Sequence, residues 1–313
     1  MRRFLVPLAL LLASAPAVAQ PKVVASVIPV HGIVSAVMGD KGQPELLLAG
    51  SMPEHRASFS PQQIKELGEA DLVFIIGQGL EAKLSQMSGT EAVNGRRFVE
   101  LAAAPGVTTL PVRQGGTWET HDHAHEEEHG HEEGEGHDEG VLAFDPHVWL
   151  DPANAKAMAL AVAQELAKAD PGNAALYLRN AEDFARSVDE TAEAIEAELE
   201  GVKTTPYVVF HDAYQYFERR FGLAAAGSIS DVSAAAPSAQ RLREIRRKIT
   251  EVKAACVFRE PQYDNKVVAT VVEGTAAREG VLDPIGADVA PGPLAYQQIL
   301  RNLAASLRQC LAG

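Results

Sequence analysis

The chain of 313 residues is poor in cysteine and has no recognisable catalytic motif. Its two cysteines lack the CxxC spacing of thiolate zinc sites, which disfavours a structural zinc site built from cysteines. It has no HExxH helix, no Gly-x-Ser-x-Gly elbow and no phosphate-binding loop, which disfavours the common hydrolase and nucleotide-binding classes. Beyond the N-terminus no apolar run approaches the ~20 residues of a transmembrane helix.

The N-terminus has the pattern of a secretory signal. Arginines at positions 2 and 3 precede an apolar stretch over residues 4–12, which is too short to span a bilayer. The small-x-small site Ala17–Ala19 predicts cleavage directly after it. No cysteine lies near the cut, so we expect an exported protein without a lipid anchor. In an oxidising compartment, Cys256 and Cys310 are expected to form a disulfide.

Lysine and arginine are absent from residues 117–140, TWETHDHAHEEEHGHEEGEGHDEG, which supply −10 of the net charge of −14. This acidity argues against nucleic acid or an anionic membrane as partner. The composition cannot build a packed core, so we predict a disordered loop over residues 115–140. Its histidines predict weak zinc chelation, with a plain acidic tract as the alternative. They are His121, His123, His125, His129, His131 and His137.

Short β-branched runs alternate with amphipathic stretches through the rest of the chain. This order predicts an α/β fold with mainly parallel sheets flanked by helices. A stretch without Gly or Pro predicts one long, rigid helix that joins two lobes. We therefore expect four parts, namely a signal peptide (1–19), an N-terminal lobe (20–172), a connecting helix (173–200) and a C-terminal lobe (201–313).

Several element boundaries follow from local signals. Ser60 and Asp151 each precede a proline, and we expect them to cap helices. In the C-terminal lobe we predict a helix over residues 265–278, ended by Gly280, and a strand over residues 281–285.

Four histidines lie outside the acidic segment, and three of them follow predicted strands or lie in non-helical connections. His55 and His147 belong to the N-terminal lobe, whereas His211 and the carboxylate of Asp283 follow strands of the C-terminal lobe. Because ligands bind at the carboxyl ends of strands in open α/β sheets, we expect these groups to meet in the cleft between the lobes. The fourth histidine, His31, is predicted to have a structural role at a helix start or at the cleft edge.

Three imidazoles with a carboxylate or a water suit a borderline metal ion. Zinc takes four ligands tetrahedrally, whereas manganese, magnesium and calcium prefer sites rich in oxygen, so the set favours zinc over manganese. Copper and nickel bind imidazole at least as strongly, and spacing alone does not separate them from zinc. Binding needs neutral imidazoles, so affinity is expected to fall as the pH drops through ~6.5.

A family resemblance covers nearly the whole mature chain, and its strongest pieces are ADLVFIIGQGLE, DPHVWLDPANA, FHDAYQYFERRFG, CVFREPQYDNKVV and LDPIGAD. With the acidic insert before DPHVWLDP, the chain resembles the periplasmic zinc-binding proteins of bacterial zinc ABC importers, the ZnuA-like members of the cluster A-I metal-binding proteins. The resemblance implies two α/β lobes, a rigid connecting helix and a metal buried between the lobes. It also implies high-affinity zinc capture in the periplasm and delivery to a membrane permease.

By match to the family's motifs, the resemblance implies that His55, His147 and His211 bind one tight zinc ion. Manganese members carry a carboxylate where His211 stands, which supports zinc. Three candidates remain for the fourth ligand. Asp283 matches the family's LDP segment and is preferred. Glu54 matches an alternative carboxylate of the family, and a water molecule is the third candidate.

Four carboxylates beside these motifs are candidates to accept a hydrogen bond from a ligand imidazole. They are Asp145, Asp151, Asp212 and Glu260, and for Asp151 a helix cap is the simpler interpretation.

Other functions remain as alternatives to zinc import. They are an importer component for manganese or another divalent metal, a zinc buffer or storage protein, and a zinc-dependent hydrolase in which Glu54 would be the base. Buffering does not need a folded two-lobed chain, which disfavours a buffer or storage protein. We also expect that the protein is not an enzyme. The expected partners are the permease and a periplasmic zinc chaperone, and the protein is expected to be a monomer.

Overall fold

The described part of the chain contains two parallel sheets flanked by helices, which confirms the predicted α/β class. The computed structural model describes residues 20–56, 58–88, 90, 97–114, 118 and 142–313. The predicted signal peptide and the six histidines of the acidic segment lie outside these residues. Among the described helices, none combines the length and apolar composition needed to cross a membrane.

The first sheet belongs to the N-terminal half of the chain. Its strands are β1 (Val23–Ala25), β2 (Glu45–Leu46), β3 (Leu72–Ile75) and β4 (Arg97–Glu100). They are parallel throughout, in the order β2-β1-β3-β4. The helices of this half are α1 (Ile28–Met38), α2 (Pro61–Glu69), α3 (Ala82–Met87) and α4 (Pro152–Ala169). The neighbouring residues Val73 and Phe74 of β3 lie in separate apolar clusters, because the sheet is covered on both faces.

Two predicted caps determine where α2 and α4 begin. The Ser60 side chain accepts a hydrogen bond from the Gln63 N–H, and the Gln63 side chain accepts one from the Ser60 N–H. The Asp151 carboxylate accepts a hydrogen bond from the Ala153 N–H at the start of α4. Local sequence rules therefore position the two helices that follow the His55 and His147 segments.

One long helix connects the two halves of the chain. It is α5 (Ala174–Leu199), whose 26 residues extend ~39 Å at ~1.5 Å per residue. It packs against α1 and α4 and against the last helix, α9 (Ala295–Leu311). Helices α1 and α9 also approach closely, since a Cβ at Gly32 would lie 2.8 Å from the backbone nitrogen of Tyr296. The two halves therefore share one apolar core.

The second sheet belongs to the C-terminal half. Its strands are β5 (Tyr207–Val208), β6 (Cys256–Arg259) and β7 (Arg278–Val281), parallel and in that order. The remaining helices are α6 (Gln215–Phe221), α7 (Ala239–Glu251) and α8 (Lys266–Val272).

One stretch of the C-terminal half differs from the sequence prediction. The helix predicted over residues 265–278 ends at Val272, and β7 replaces the strand predicted over residues 281–285. Gly280 lies inside β7, where a Cβ would be 2.5 Å from the ring of Phe258 on the neighbouring strand. The glycine is therefore required by a contact across the sheet, and interpreting it as a helix end was wrong.

Cys256 and Cys310 form the predicted disulfide, which joins β6 to α9 across a sequence separation of 54 residues. Replacing both cysteines with alanine is expected to lower the free energy of unfolding by about 2–4 kcal/mol, because the cross-link restricts the unfolded chain. Urea unfolding followed by circular dichroism measures this difference. Added reductant should destabilise the wild type and leave the double variant unchanged, and equal stability of the two proteins would contradict the prediction.

Candidate metal centre

His55, His147 and His211 come together with Glu54, and their ligand atoms all lie within 4.8 Å of one another. The Nε2 atom of His147 is 3.3 Å from Nε2 of His55 and 3.2 Å from Nε2 of His211. A tetrahedral zinc ion with Zn–N bonds of ~2.0–2.1 Å holds two nitrogen ligands ~3.3–3.4 Å apart. The spacing of these nitrogens therefore fits one shared zinc ion.

The group is assembled from connections at the ends of strands in both sheets. Glu54 and His55 lie in a 3-10 turn between β2 and α2. His147 directly precedes the 3-10 turn Val148–Leu150, which leads into α4. His211 follows β5. The groups approach one another from the two halves of the molecule, as the strand-end argument predicted.

The site is buried, and its carboxylate is not hydrogen-bonded within the described part of the chain. His147 and His211 are fully buried, whereas the side chain of His55 is 6% exposed and that of Glu54 is 1% exposed. Within the described residues, neither carboxylate oxygen of Glu54 has a hydrogen-bond partner. Burial raises the pKa of Glu54 to about 7, against the opposing effect of the His211 charge. An unpaired buried carboxylate is costly, and together with the three imidazoles its oxygens could hold a cation.

Two carboxylates orient two of these imidazoles. Nδ1 of His147 donates to Oδ1 of Asp145 at 2.8 Å, and Nδ1 of His211 donates to Oε1 of Glu260 at 2.7 Å. The hydroxyl of Tyr214 also donates to Oε1 of Glu260, at 3.0 Å. With their protons on Nδ1, both rings present Nε2 to the common centre, as metal-bound histidines do.

The pKa values of two neighbouring histidines shift in opposite directions. Burial and the charge of His211 hold the pKa of His147 well below its usual value. Burial also lowers the pKa of His211, but the charge of Glu260, its hydrogen bond and the charge of Glu54 together raise it to about 9. Below pH about 9 these charges therefore favour the protonated form of His211, whose Nε2 lies 3.2 Å from Nε2 of His147 and 3.8 Å from Oε1 of Glu54.

Other candidates from the sequence stabilise the surrounding fold. Asp151 caps α4, and Asp212 forms a buried ion pair with Arg113. His31 lies buried on α1, where its Nε2 is 3.0 Å from the backbone carbonyl oxygen of Pro44. This position agrees with the structural role predicted for His31.

Asp283, the fourth ligand preferred from the sequence, is not part of the group found among the described residues. Its Oδ1 accepts hydrogen bonds from Nε2 of Gln262 and from the Gly286 N–H, both at 2.8 Å, and its Oδ2 accepts one from the Ala287 N–H. Asp283 lies close enough to raise the pKa of Glu54. Hydrogen bonds therefore occupy both Asp283 oxygens, whereas Oε1 of Glu54 lies 3.8 Å from Nε2 of both His55 and His211.

A family model described as ZnuA, the periplasmic component A of a zinc-uptake complex, matches residues 23–310. The chain belongs to this family. The high-affinity zinc uptake system protein ZnuA of Brucella suis is 44% identical over 306 residues, which cover 93% of this chain and 91% of that protein. The protein of the same name from Paracoccus denitrificans is 37% identical, with 96% and 95% covered.

A solved crystal structure of ZnuA superimposes with a TM-score of 0.75 at 26% identity, covering 93% of this chain and 99% of that one. These findings confirm the resemblance inferred from the motifs and the two-lobed α/β fold. The family consists of periplasmic binding components of transporters and not of enzymes, which confirms the expectation that the chain is not an enzyme.

Proposed function

We propose that this chain captures zinc with high affinity in the periplasm and delivers it to the permease of a membrane ABC importer. The observation that carries the proposal is the buried group of three imidazoles and one carboxylate, spaced for zinc, in a member of the zinc-uptake family. A set rich in nitrogen favours zinc over manganese, which prefers oxygen ligands. The absence of catalytic motifs from the sequence disfavours the alternative function of a zinc-dependent hydrolase.

The proposed ligands of the single tight zinc ion are His55, His147, His211 and Glu54. The preference for Glu54 over Asp283 differs from the preference drawn from the sequence. It rests on hydrogen bonding, because both Glu54 oxygens are buried without a partner among the described residues while those of Asp283 accept several hydrogen bonds. Oε1 of Glu54 also lies 3.8 Å from Nε2 of both His55 and His211.

Two measurements test the function. In a chelator competition, the purified chain should hold one tight zinc ion that an equal concentration of manganese does not displace. In a strain that lacks its own periplasmic zinc-binding protein, the chain and its permease together should restore growth under zinc depletion, and neither alone should do so. Displacement by manganese or growth without the permease would contradict the proposal.

We propose the following organisation for the exported protein. The signal peptide is cleaved after Ala19, and residues 20–172 and 201–313 form lobes joined by the helix over 173–200. The cleavage pattern and the position of α5 in the chain, after the strands of the first sheet and before those of the second, support this division. The protein acts as a monomer, with a periplasmic zinc chaperone as a second partner besides the permease.

We propose that the histidine-rich segment 117–140 binds additional zinc weakly and supplies it to the buried site. Its composition suits chelation, and both of its ends are joined to the metal centre. Before the segment, Arg113 forms an ion pair with Asp212, the neighbour of His211. After it, Asp145 accepts a hydrogen bond from His147.

Replacing residues 119–140 with a short Gly-Ser linker is expected to lower the zinc stoichiometry and to leave one tight site. This boundary keeps Trp118, whose ring centre lies 3.5 Å from Cζ of Arg113. Calorimetry with a competing chelator measures both quantities. A full-length variant with the six segment histidines changed to glutamine is the matched control, and it should lose the same weak sites. Loss of the tight site in either protein would show that the segment is the main binder.

A further inference from the structure

Asp283 organises the turn over residues 283–287 that follows β7. Its Oδ1 accepts hydrogen bonds from the N–H groups of Ile285 at 3.1 Å and Gly286 at 2.8 Å, and its Oδ2 accepts one from Ala287. Gly286 has a φ of +86°, in the left-handed region that favours glycine. One carboxylate and one glycine therefore define the conformation of this turn.

Gln262 joins the turn to the segment that carries Glu54. Its Nε2 donates to Oδ1 of Asp283 and to the carbonyl oxygen of Gly50, each at 2.8 Å. Gly50 is buried and lies four residues before Glu54. Because Gly50 and Gln262 belong to different halves of the chain, this amide links the two halves beside the metal centre.

The same turn contacts the segment that carries His147. Nε1 of Trp149 donates to the carbonyl oxygen of Pro284 at 2.9 Å. Trp149 lies two residues after His147, and its ring is 5.3 Å from the imidazole. The turn therefore also holds the indole that packs against this histidine.

Gln262 is also close in the chain to the partner of His211. It lies two residues after Glu260, which accepts the hydrogen bond from Nδ1 of His211. The turn over 283–287 and its hydrogen bonds thus reach the three segments that carry or orient the histidines.

We propose that Asp283 is a positioning residue for zinc binding and not a metal ligand. With Gln262 and Gly50 it forms a polar connection, here called the Asp283 clasp, that holds the ligand-bearing segments at their mutual distances before zinc arrives. A site that is already ordered loses less entropy on binding, so the clasp increases affinity without touching the metal. This inference rests on the proposed function, zinc binding by the four proposed ligands.

The surroundings of Gly50 supply an independent reason. A Cβ at this position would lie 2.6 Å from Cδ1 of Ile28, 2.7 Å from Cα of Ala287 and 2.9 Å from the carbonyl oxygen of Gly286. Two of these atoms belong to the backbone of the turn, which cannot move aside as the end of a side chain can. Gly50→Ala would therefore separate the two segments without removing any hydrogen-bonding group.

Three variants of the full chain test the clasp by zinc affinity in a chelator competition. Gln262→Met keeps the length of the side chain but removes its donor, and it should bind zinc about tenfold more weakly, as variants of groups that orient metal ligands do. Gly50→Ala should weaken binding in the same direction. Combining Gln262→Met with Asp283→Ala should weaken binding no more than Asp283→Ala alone, because both act through one connection. The control Gln298→Met removes an exposed amide hydrogen bond on α9 and should change nothing.

X-ray absorption at the zinc edge separates positioning from ligation. Asp283→Ala should keep the wild-type set of three nitrogens and one carboxylate. Loss of one oxygen ligand in this variant, or wild-type affinity in Gln262→Met, would overturn the clasp while the proposed function stands. A wild-type chain without a tight zinc ion would overturn both.

Discussion

Replacing His55, His147 and His211 together with alanine is expected to abolish tight zinc binding. The three Nε2 atoms converge in a buried site, and Glu54 alone would leave a single carboxylate to replace the hydration shell of the ion. A chelator that competes with the wild type for zinc should therefore remove all tightly bound zinc from the triple variant. Circular dichroism checks that the variant remains folded.

A matched control changes three other histidines. Replacing His121, His123 and His125 with alanine removes the same number and type of side chain from the acidic segment. This control should retain the tight site with wild-type affinity. If instead the His55/His147/His211 variant keeps one tight equivalent, the buried group is not the zinc site.

The histidines of the centre could be predicted from their position in the fold but not from their spacing. Separations of 92 residues between His55 and His147, and of 64 between His147 and His211, match no short metal motif. They are predictable because parallel strands bring their carboxyl ends to one edge, and the connections after these strands carry the histidines. Helix starts at Ser60 and Asp151 were equally predictable, since capping depends on neighbours in the sequence.

The choice between Glu54 and Asp283 could not be made from the sequence. Each carboxylate matches a carboxylate position of the family, and only the structure shows which oxygens are already hydrogen-bonded. Gln262 was missed for a related reason, because its partners Gly50 and Asp283 lie 212 and 21 residues away. A weak signal was present in LDPIG, where Asp283 precedes Pro284 and a glycine, a combination typical of turns.

Zinc affinity is expected to decline in two stages as the pH falls. The metal-free protein holds a proton on His211 below pH about 9, because the pKa of His211 is raised to about 9. Burial raises the pKa values of Glu54 and Asp145 to about 7, so below that pH the metal-free protein also holds a proton on each of these carboxyl groups. Zinc must displace protons, so a lower pH weakens binding. Where zinc displaces one proton, the zinc affinity falls about tenfold for each unit by which the pH is lowered. Each further displaced proton makes that fall about tenfold larger per pH unit.

The decline therefore begins well above the pH of ~6.5 expected for ordinary histidines and steepens below pH about 7. His147 adds nothing near neutrality, since its pKa lies well below the usual value. Chelator competition from pH 6 to 9, corrected for protonation of the chelator, measures the two stages. Glu54→Gln has one titrating group fewer. Below pH 7 its zinc affinity should therefore fall about tenfold less for each pH unit than that of the wild type. A single midpoint near pH 6.5 in both proteins would show that the raised pKa values of His211, Glu54 and Asp145 do not control binding.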